Sequence, residues 1–350
     1  MNILVTGGLG FIGSNFLYLL QKTNQKFSNV INLDLITYSA NMQNLNNLNI
    51  TSYKFYKGDI NNQNLILKIL LSHEINVVIN FAAESHVDRS ILNADDFMHT
   101  NINGTYELLK ACNEYKKDKN SNFKFIHIST DEVYGSLSLS DPAFQENSPY
   151  APNSPYAASK AASDLIVRSY IKTFGFPAII TNCSNNYGPY QYPEKLIPLV
   201  INNCLENKPI PIYGNGLQIR DWLHVNDHCS ALLKIIEKGT VGEKYNIGGN
   251  EEITNLDLVN KICEILNELK PPQKGKYQDL ISFVKDRPGH DTRYAINNHK
   301  IQKELRWKPI IKLKEGLKMT IEWYLENENW LNALKDRQYH NWIENNYQDR

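Results

Sequence analysis

At 350 residues, with Lys+Arg and Asp+Glu both at 37, the chain carries no net charge that would hold nucleic acid or an anionic membrane surface, so any phosphate site must be local. A hydrophobic content of 42% supports a sizeable core, yet no apolar run approaches bilayer-spanning length. Cys112, Cys183, Cys204, Cys229 and Cys263 are scattered and never form Cys-x-x-Cys, which argues against a disulfide framework and a zinc site. The opening NILVTG reads as a strand rather than a charged lead and apolar stretch, so a cytoplasmic protein is expected.

Apolar runs predict buried strands at Asn2 to Thr6, Val30 to Asp34, Tyr53 to Tyr56, Val77 to Ala82, Phe123 to Ser129 and Ala178 to Cys183. Helical periodicity lies between them, at Gly13 to Lys22, Asn64 to Leu71, Asp95 to Lys116 and Tyr156 to Phe174. This alternation predicts an α/β fold, a doubly wound, Rossmann-like parallel sheet with ligands at the carboxyl ends of its strands. Past about residue 186, Pro189, Pro193, Pro198, Pro209 and Pro211 punctuate shorter elements before a helix around Leu313 to Leu325. We expect a cofactor-binding domain over 1–185, with a return segment near 219–240, and a smaller C-terminal α/β substrate domain over 186–350. The tail beyond Glu326, with Trp330, Trp342 and Tyr347, reads as helix packing or an oligomer contact.

Gly7, Gly10 and Gly13 follow the first predicted strand and open the first predicted helix, the context of a dinucleotide-binding turn. Missing side chains let the backbone approach a pyrophosphate, and the helix N-terminus supplies amide donors. Asp34 ends the second strand, where a carboxylate accepts from the adenosine ribose and repels a 2′-phosphate, so NAD is favoured over NADP. Asp59 and Ile60, ending the third strand, are placed to meet the adenine.

Tyr156 and Lys160 stand at i and i+4 on one helix face, so the ammonium can sit beside the phenol and lower its pKa from about 10. Such pairs also occur in ordinary amphipathic helices; here the pair follows a glycine turn and the strand that leads into Thr130, Asp131 and Glu132. Adjacent carboxylates at a strand's carboxyl end can be plain turn residues. Facing a cleft they can instead supply one acid and one base, because a buried pair separates in protonation.

With GGLGFIGS, FAAESHVDRS, STDEVYG, YAASK, NCSNNYGPYQYPEKLIP, RDWLHVNDH and RPGHDTRYAI in order, the chain resembles the extended short-chain dehydrogenase/reductase family and, within it, the dTDP-glucose 4,6-dehydratases. The resemblance runs to about residue 310. It implies that Phe11, Ile12, Asp34, Thr37, Asp59, Ile60, Ala82, Ala83, Thr100, Tyr156, Lys160 and Asn186 line NAD. Ser85, Thr130, Asn185 and Arg220 would contact the sugar nucleotide, with Lys195, Leu196, Ile197, Pro198, Leu199, Val200, Asn255, Arg287 and His290 also holding it. Ala157 and Asn297 stand where the family often has Ser and Asp, away from the reacting groups.

The implied substrate is dTDP-glucose. Tyr156, with Lys160, would take the C4 hydroxyl proton while Thr130 holds the C4 oxygen, Glu132 would be the base at C5, and Asp131 the acid at the C6 hydroxyl. Arg220 and Arg287, helped by Lys195, are natural clamps for the pyrophosphate in a chain without net charge. His86 and His290 lack a second ligand at metal spacing, so no metal is expected. UDP-glucose as substrate, a sugar-nucleotide 4-epimerase and a decarboxylase remain as alternatives on the same scaffold, as does a redox-sensing module that binds NAD without turnover. The acid–base pair favours dehydration over the epimerase and decarboxylase, and the Tyr-Lys pair favours turnover over sensing. The helices Asp95 to Lys116 and Tyr156 to Phe174 resemble a pair that forms dimers in relatives, so a homodimer is expected.

Overall fold

The computed structural model describes residues 1–23, 27–118 and 122–347. Its strands are β1 (Asn2–Thr6), β2 (Asn29–Asp34), β3 (Tyr53–Lys57), β4 (Val77–Asn80), β5 (Lys124–Thr130), β6 (Ala178–Cys183), β7 (Asn185–Tyr187), β8 (Ile210–Tyr213), β9 (Ile219–His224), β10 (Lys244–Ile247), β11 (Glu252–Thr254) and β12 (Ile281–Val284). Seven of them form one parallel sheet in the order β10-β6-β5-β4-β1-β2-β3. The strand pattern from the sequence holds to within about a residue at most ends. β4 is the exception: it stops at Asn80, and the bond from Phe81 N to Thr6 O at 3.0 Å is its last ladder bond to β1.

Side chains alternate across the sheet as a two-residue period requires. Ile3, Val5, Val30, Val77, Ile79, Ile126 and Ile128 face Phe16, Leu17 and Leu20 of helix Phe11–Lys22 and Leu232, Ile235 and Ile236 of helix Val225–Lys238. Leu4, Ile31, Leu33, Val78 and Phe125 face Ile66, Ile69, Leu108, Leu109 and Val167 on the helices of the opposite side. Both faces being covered explains why these strands read as continuous apolar runs.

After β6 the chain builds a second cluster around a three-stranded sheet, β11-β9-β7, and the parallel pair β12-β8. It then gives helix Val225–Lys238 and strand β10 back to the large sheet. The helix expected over Asp95 to Lys116 is interrupted by a π-helical stretch, Met98–Gly104. That stretch turns Asn101 inward, where its amide donates to Glu84 O at 2.9 Å and Ser159 Oγ at 2.8 Å and its oxygen accepts from Glu84 N at 2.9 Å. The tail folds back onto the protein: Trp330 packs in the second cluster and donates to Asn44 Oδ1 at 2.8 Å, and Tyr347 reaches the mouth of the cleft described below. Among the described residues no helix is long and apolar enough to cross a membrane.

Candidate active site

At the end of β1 the chain turns through the glycines into helix Phe11–Lys22. Gly7 has φ of +71°, and a Cβ there would lie 2.6 Å from Ala82 N; a Cβ on Gly13 would lie 2.3 Å from Gly7 O. Any side chain would therefore wedge the helix away from the sheet. Gly10 is the N-cap and contributes no capping side chain, so the first-turn amides are left to the cleft that Gly10, Phe11, Ile12 and Gly13 line. This cradle suits the pyrophosphate of a dinucleotide. Asp34 braces it, accepting from Leu9 N at 2.9 Å and Ile36 N at 2.8 Å.

Thr130 ends β5 and caps a short turn, Asp131–Tyr134; its hydroxyl accepts from Glu132 N and donates to Asp131 Oδ1, both at 3.2 Å. Helix Pro155–Phe174 starts where it does because Ser154 accepts from Ala157 N at 3.1 Å and Pro155 fits the first turn. That start places Tyr156 and Lys160 on the cleft wall facing Thr130, Asp131 and Glu132. Thr130 and Tyr156 line the same cleft, and Thr130 acts on the phenol in the direction that favours ionisation.

Two buried carboxylate oxygens, Asp131 Oδ2 and Glu132 Oε2, have no partner within the protein, and neither do Asn185 Oδ1 and Arg287 Nε. All four residues line the cleft, which is the pattern of a site built for a polar ligand. Asp131 is held well above the ordinary carboxylate range, by burial first and then by Glu132 and Asp221. Burial also raises Glu132, but Arg287, Arg220 and Lys195 pull it back toward ionisation. Both carboxyls are thus shifted toward the neutral form, Asp131 more strongly than Glu132.

The expectation that Lys160 lowers the Tyr156 pKa is not met. Burial, then Glu132 and Cys183, push the phenol well above 10, while the Lys160 ammonium donates to Ile128 O at 2.8 Å and is itself lowered by burial. With anions close to it and no cation among its main neighbours, the phenol is shifted toward its neutral form, and positive charge entering the cleft would oppose that shift.

The second region brings Asn185, Asn186, Lys195, Leu196, Ile197, Leu199, Arg220, Asn255, Arg287 and His290 to the cleft, opposite Ala83 and Ser85. Lys195 Nζ donates to Ser85 O at 2.7 Å. Arg220 is fixed by Ile219 O at 2.8 Å and Asp291 O at 2.9 Å and lies 4.2 Å over the Tyr294 ring. Arg287 lies 3.7 Å from Asp88. His290 contacts Asp286 at 2.6 Å, yet burial and the two arginines push it down to about 4, so it is neutral near pH 7. Among the described residues no cluster of His, Cys, Asp and Glu could hold a metal ion.

Asp34, Thr37, Asp59, Ile60, Ala82, Thr100, Pro198 and Val200 are not among the residues lining this cleft. Val200 packs into the second core, and Ile60 lies against Gly104. Asp59 accepts from Asn61 N at 2.8 Å and borders a separate shallow surface cavity with Asn61 and His99. Residues that the sequence reading did not assign also line the cleft, among them Tyr38, Gln191, Tyr192, Glu194, Tyr294 and Tyr347. Gln191, Tyr192 and Glu194 fall inside the YGPYQYPEKLIP motif and were open to notice; Tyr347 lies far beyond any motif.

A family model described as GDP-mannose 4,6 dehydratase matches residues 4–320. The dTDP-glucose 4,6-dehydratase of Salmonella typhimurium is 49% identical, with all of both chains covered. The solved dTDP-glucose 4,6-dehydratase of Bacillus anthracis, in complex with NAD, is 46% identical at a TM-score of 0.86, covering 96% of this chain and 100% of that one. Its counterpart from Streptomyces venezuelae, solved with NAD and a second ligand, is 41% identical at a TM-score of 0.88 with the same coverage. The chain belongs to the dTDP-glucose 4,6-dehydratase family of extended short-chain dehydrogenases/reductases.

A carboxyl raised in the folded state binds its proton more tightly there than in the unfolded chain. The stability it costs is absent below its unfolded pKa, about 3.9, and grows as pH rises above it. Asp131→Asn should therefore melt at a higher temperature than the parent at about pH 8, with the gap narrowing as pH falls toward about 4. Equal melting temperatures at the higher pH would contradict the burial argument.

Proposed function

We propose that this chain converts dTDP-glucose to dTDP-4-keto-6-deoxyglucose, with NAD held on the glycine turn and Asp131 and Glu132 as the eliminating pair. The observation that carries the reading is the placement of two buried, partnerless carboxylate oxygens beside Thr130 and Tyr156 at the end of β5. A 4-epimerase on this scaffold needs an acid–base group at C4 but no pair at C5 and C6.

The C5 hydrogen of glucose is not acidic, and a ketone at C4 makes it so by delocalising the C5 carbanion as an enolate. Bound NAD supplies that change by taking the C4 hydride and later giving it back at C6. The protein's part is proton management and alignment. Tyr156 takes the C4 hydroxyl proton once positive charge in the cleft offsets the burial that raises its phenol, and Thr130, which lines the same cleft, holds the C4 oxygen. Lys160 donates to Ile128 O and keeps a positive charge on the same helix face.

Glu132, kept basic by Arg287, Arg220 and Lys195, removes the C5 proton. Asp131, kept neutral by burial, protonates the C6 hydroxyl, which leaves as water. Return of the hydride to C6 and of the Glu132 proton to C5 would then complete the product; the proton taken by Tyr156 balances the one Asp131 gave to the departing hydroxyl, so the net change is loss of one water. Arg220 and Arg287 bind the pyrophosphate, and the unpartnered Arg287 Nε is free to fork onto an oxygen.

Met98, Tyr106, Leu165 and Phe174 are exposed on the helices expected to pair with a second copy, and a homodimer would cover such a surface. Light scattering should return twice the chain mass; a monomer at micromolar concentration would refute the dimer. For the chemistry, Glu132→Gln incubated with dTDP-glucose should accumulate the near-ultraviolet absorbance of reduced nicotinamide while 4-keto-6-deoxy product falls by about a hundredfold or more. Unchanged turnover would remove Glu132 from the mechanism, and a 4-epimer from the parent protein would overturn dehydration.

A further inference from the structure

A buried joint outside the reacting groups ties together both walls of the cleft. Glu194, whose side chain is 1% exposed, accepts from Arg89 Nε at 2.8 Å on one oxygen and from the Tyr38 hydroxyl at 2.9 Å on the other. The Arg89 guanidinium lies 3.9 Å from the centre of the Tyr38 ring and 4.2 Å from that of Trp342. A planar cation held by a carboxylate at its edge and by aromatic rings on its faces has little freedom.

The members of this joint come from far apart in sequence. Tyr38 follows β2, Arg89 follows β4, Glu194 belongs to the second region and Trp342 to the tail. In the large sheet β1 lies between β4 and β2, so a ligand seated on the glycine turn after β1 is flanked by the loops that Glu194 ties together. Tyr38 and Glu194 line the same cleft as Gly7, Gly10 and Phe11. A buried ion pair is a poor source of net stability, because desolvation offsets its attraction; what it supplies is a fixed geometry.

We infer that Glu194 is a positioning residue which, through Arg89 and Tyr38, closes the rim of the dinucleotide cleft and sets how slowly NAD leaves. The inference rests on the reading that NAD occupies the glycine turn. It makes Glu194 a determinant of cofactor retention rather than of proton transfer, since its carboxylate is fully engaged by Arg89 and Tyr38.

The test is the rate at which NAD-loaded protein exchanges its cofactor for an excess of a fluorescent NAD analogue, read at a temperature where circular dichroism finds each variant folded. Glu194→Gln removes the charge that holds Arg89, which loosens the rim, and release should accelerate by about tenfold or more. Tyr38→Phe keeps the ring under Arg89 and deletes one hydrogen bond, so it should accelerate release by a smaller factor. Glu252→Gln breaks the Arg293–Glu252 pair, 2.6 Å and outside the cleft lining, and should leave release at the parent rate. Parent-like release in Glu194→Gln and Tyr38→Phe overturns the inference, as does equal acceleration in Glu252→Gln. If Glu194→Gln does not fold, Tyr38→Phe decides by itself. A parent protein that binds no NAD refutes the cofactor reading and the inference with it, whereas tight NAD binding with unaltered variant rates refutes the inference alone.

Discussion

Asp131 and Glu132 are neighbours in sequence that the fold keeps largely out of water, and the uneven distribution of positive charge around them determines what they can do. Burial alone would leave both carboxyls protonated. Arg287, Arg220 and Lys195 act on Glu132, while Glu132 and Asp221 act against ionisation of Asp131, so the field separates two residues of the same chemistry, raising Asp131 further than Glu132. The cations come from the second region and the carboxylates from the sheet, so this separation exists only when the second region is folded against β5.

The rest of the architecture serves that juxtaposition. Parallel strands covered on both faces put their carboxyl ends at one edge, where the glycine turn, Thr130 and the start of helix Pro155–Phe174 converge. Polar groups buried without partners cost stability, and a molecule keeps several in one cleft when a ligand completes them. The same logic accounts for Tyr156. Burial and nearby carboxylates raise its phenol, so positive charge entering the cleft would favour its ionisation.

The sequence carried the sheet well, because buried strands such as Asn2–Thr6 and Ala178–Cys183 are near-continuous apolar runs bounded by turn residues. It carried the glycine turn and the Tyr156–Lys160 helix for a similar reason: local spacing decides both. The π-helical stretch at Met98–Gly104 was invisible, since the Asn101 contacts to Glu84 and Ser159 that go with it are tertiary. So was the approach of Tyr347, and of Trp342 to Arg89, because helix periodicity does not say where a tail docks. The direction of the Tyr156 shift failed because i and i+4 spacing fixes a shared face, not where an ammonium points; here it points to Ile128 O.

Carboxyl-carbon NMR titration of the intact protein, with Asp131→Asn and Glu132→Gln used for assignment, measures the division of labour directly. Asp131 should keep its proton to a higher pH than Glu132, with both above ordinary surface carboxylates. Ionisation of Asp131 before Glu132, or titration of both in the range of exposed side chains, would contradict a cleft in which desolvation raises both carboxyls and three cations hold Glu132 back.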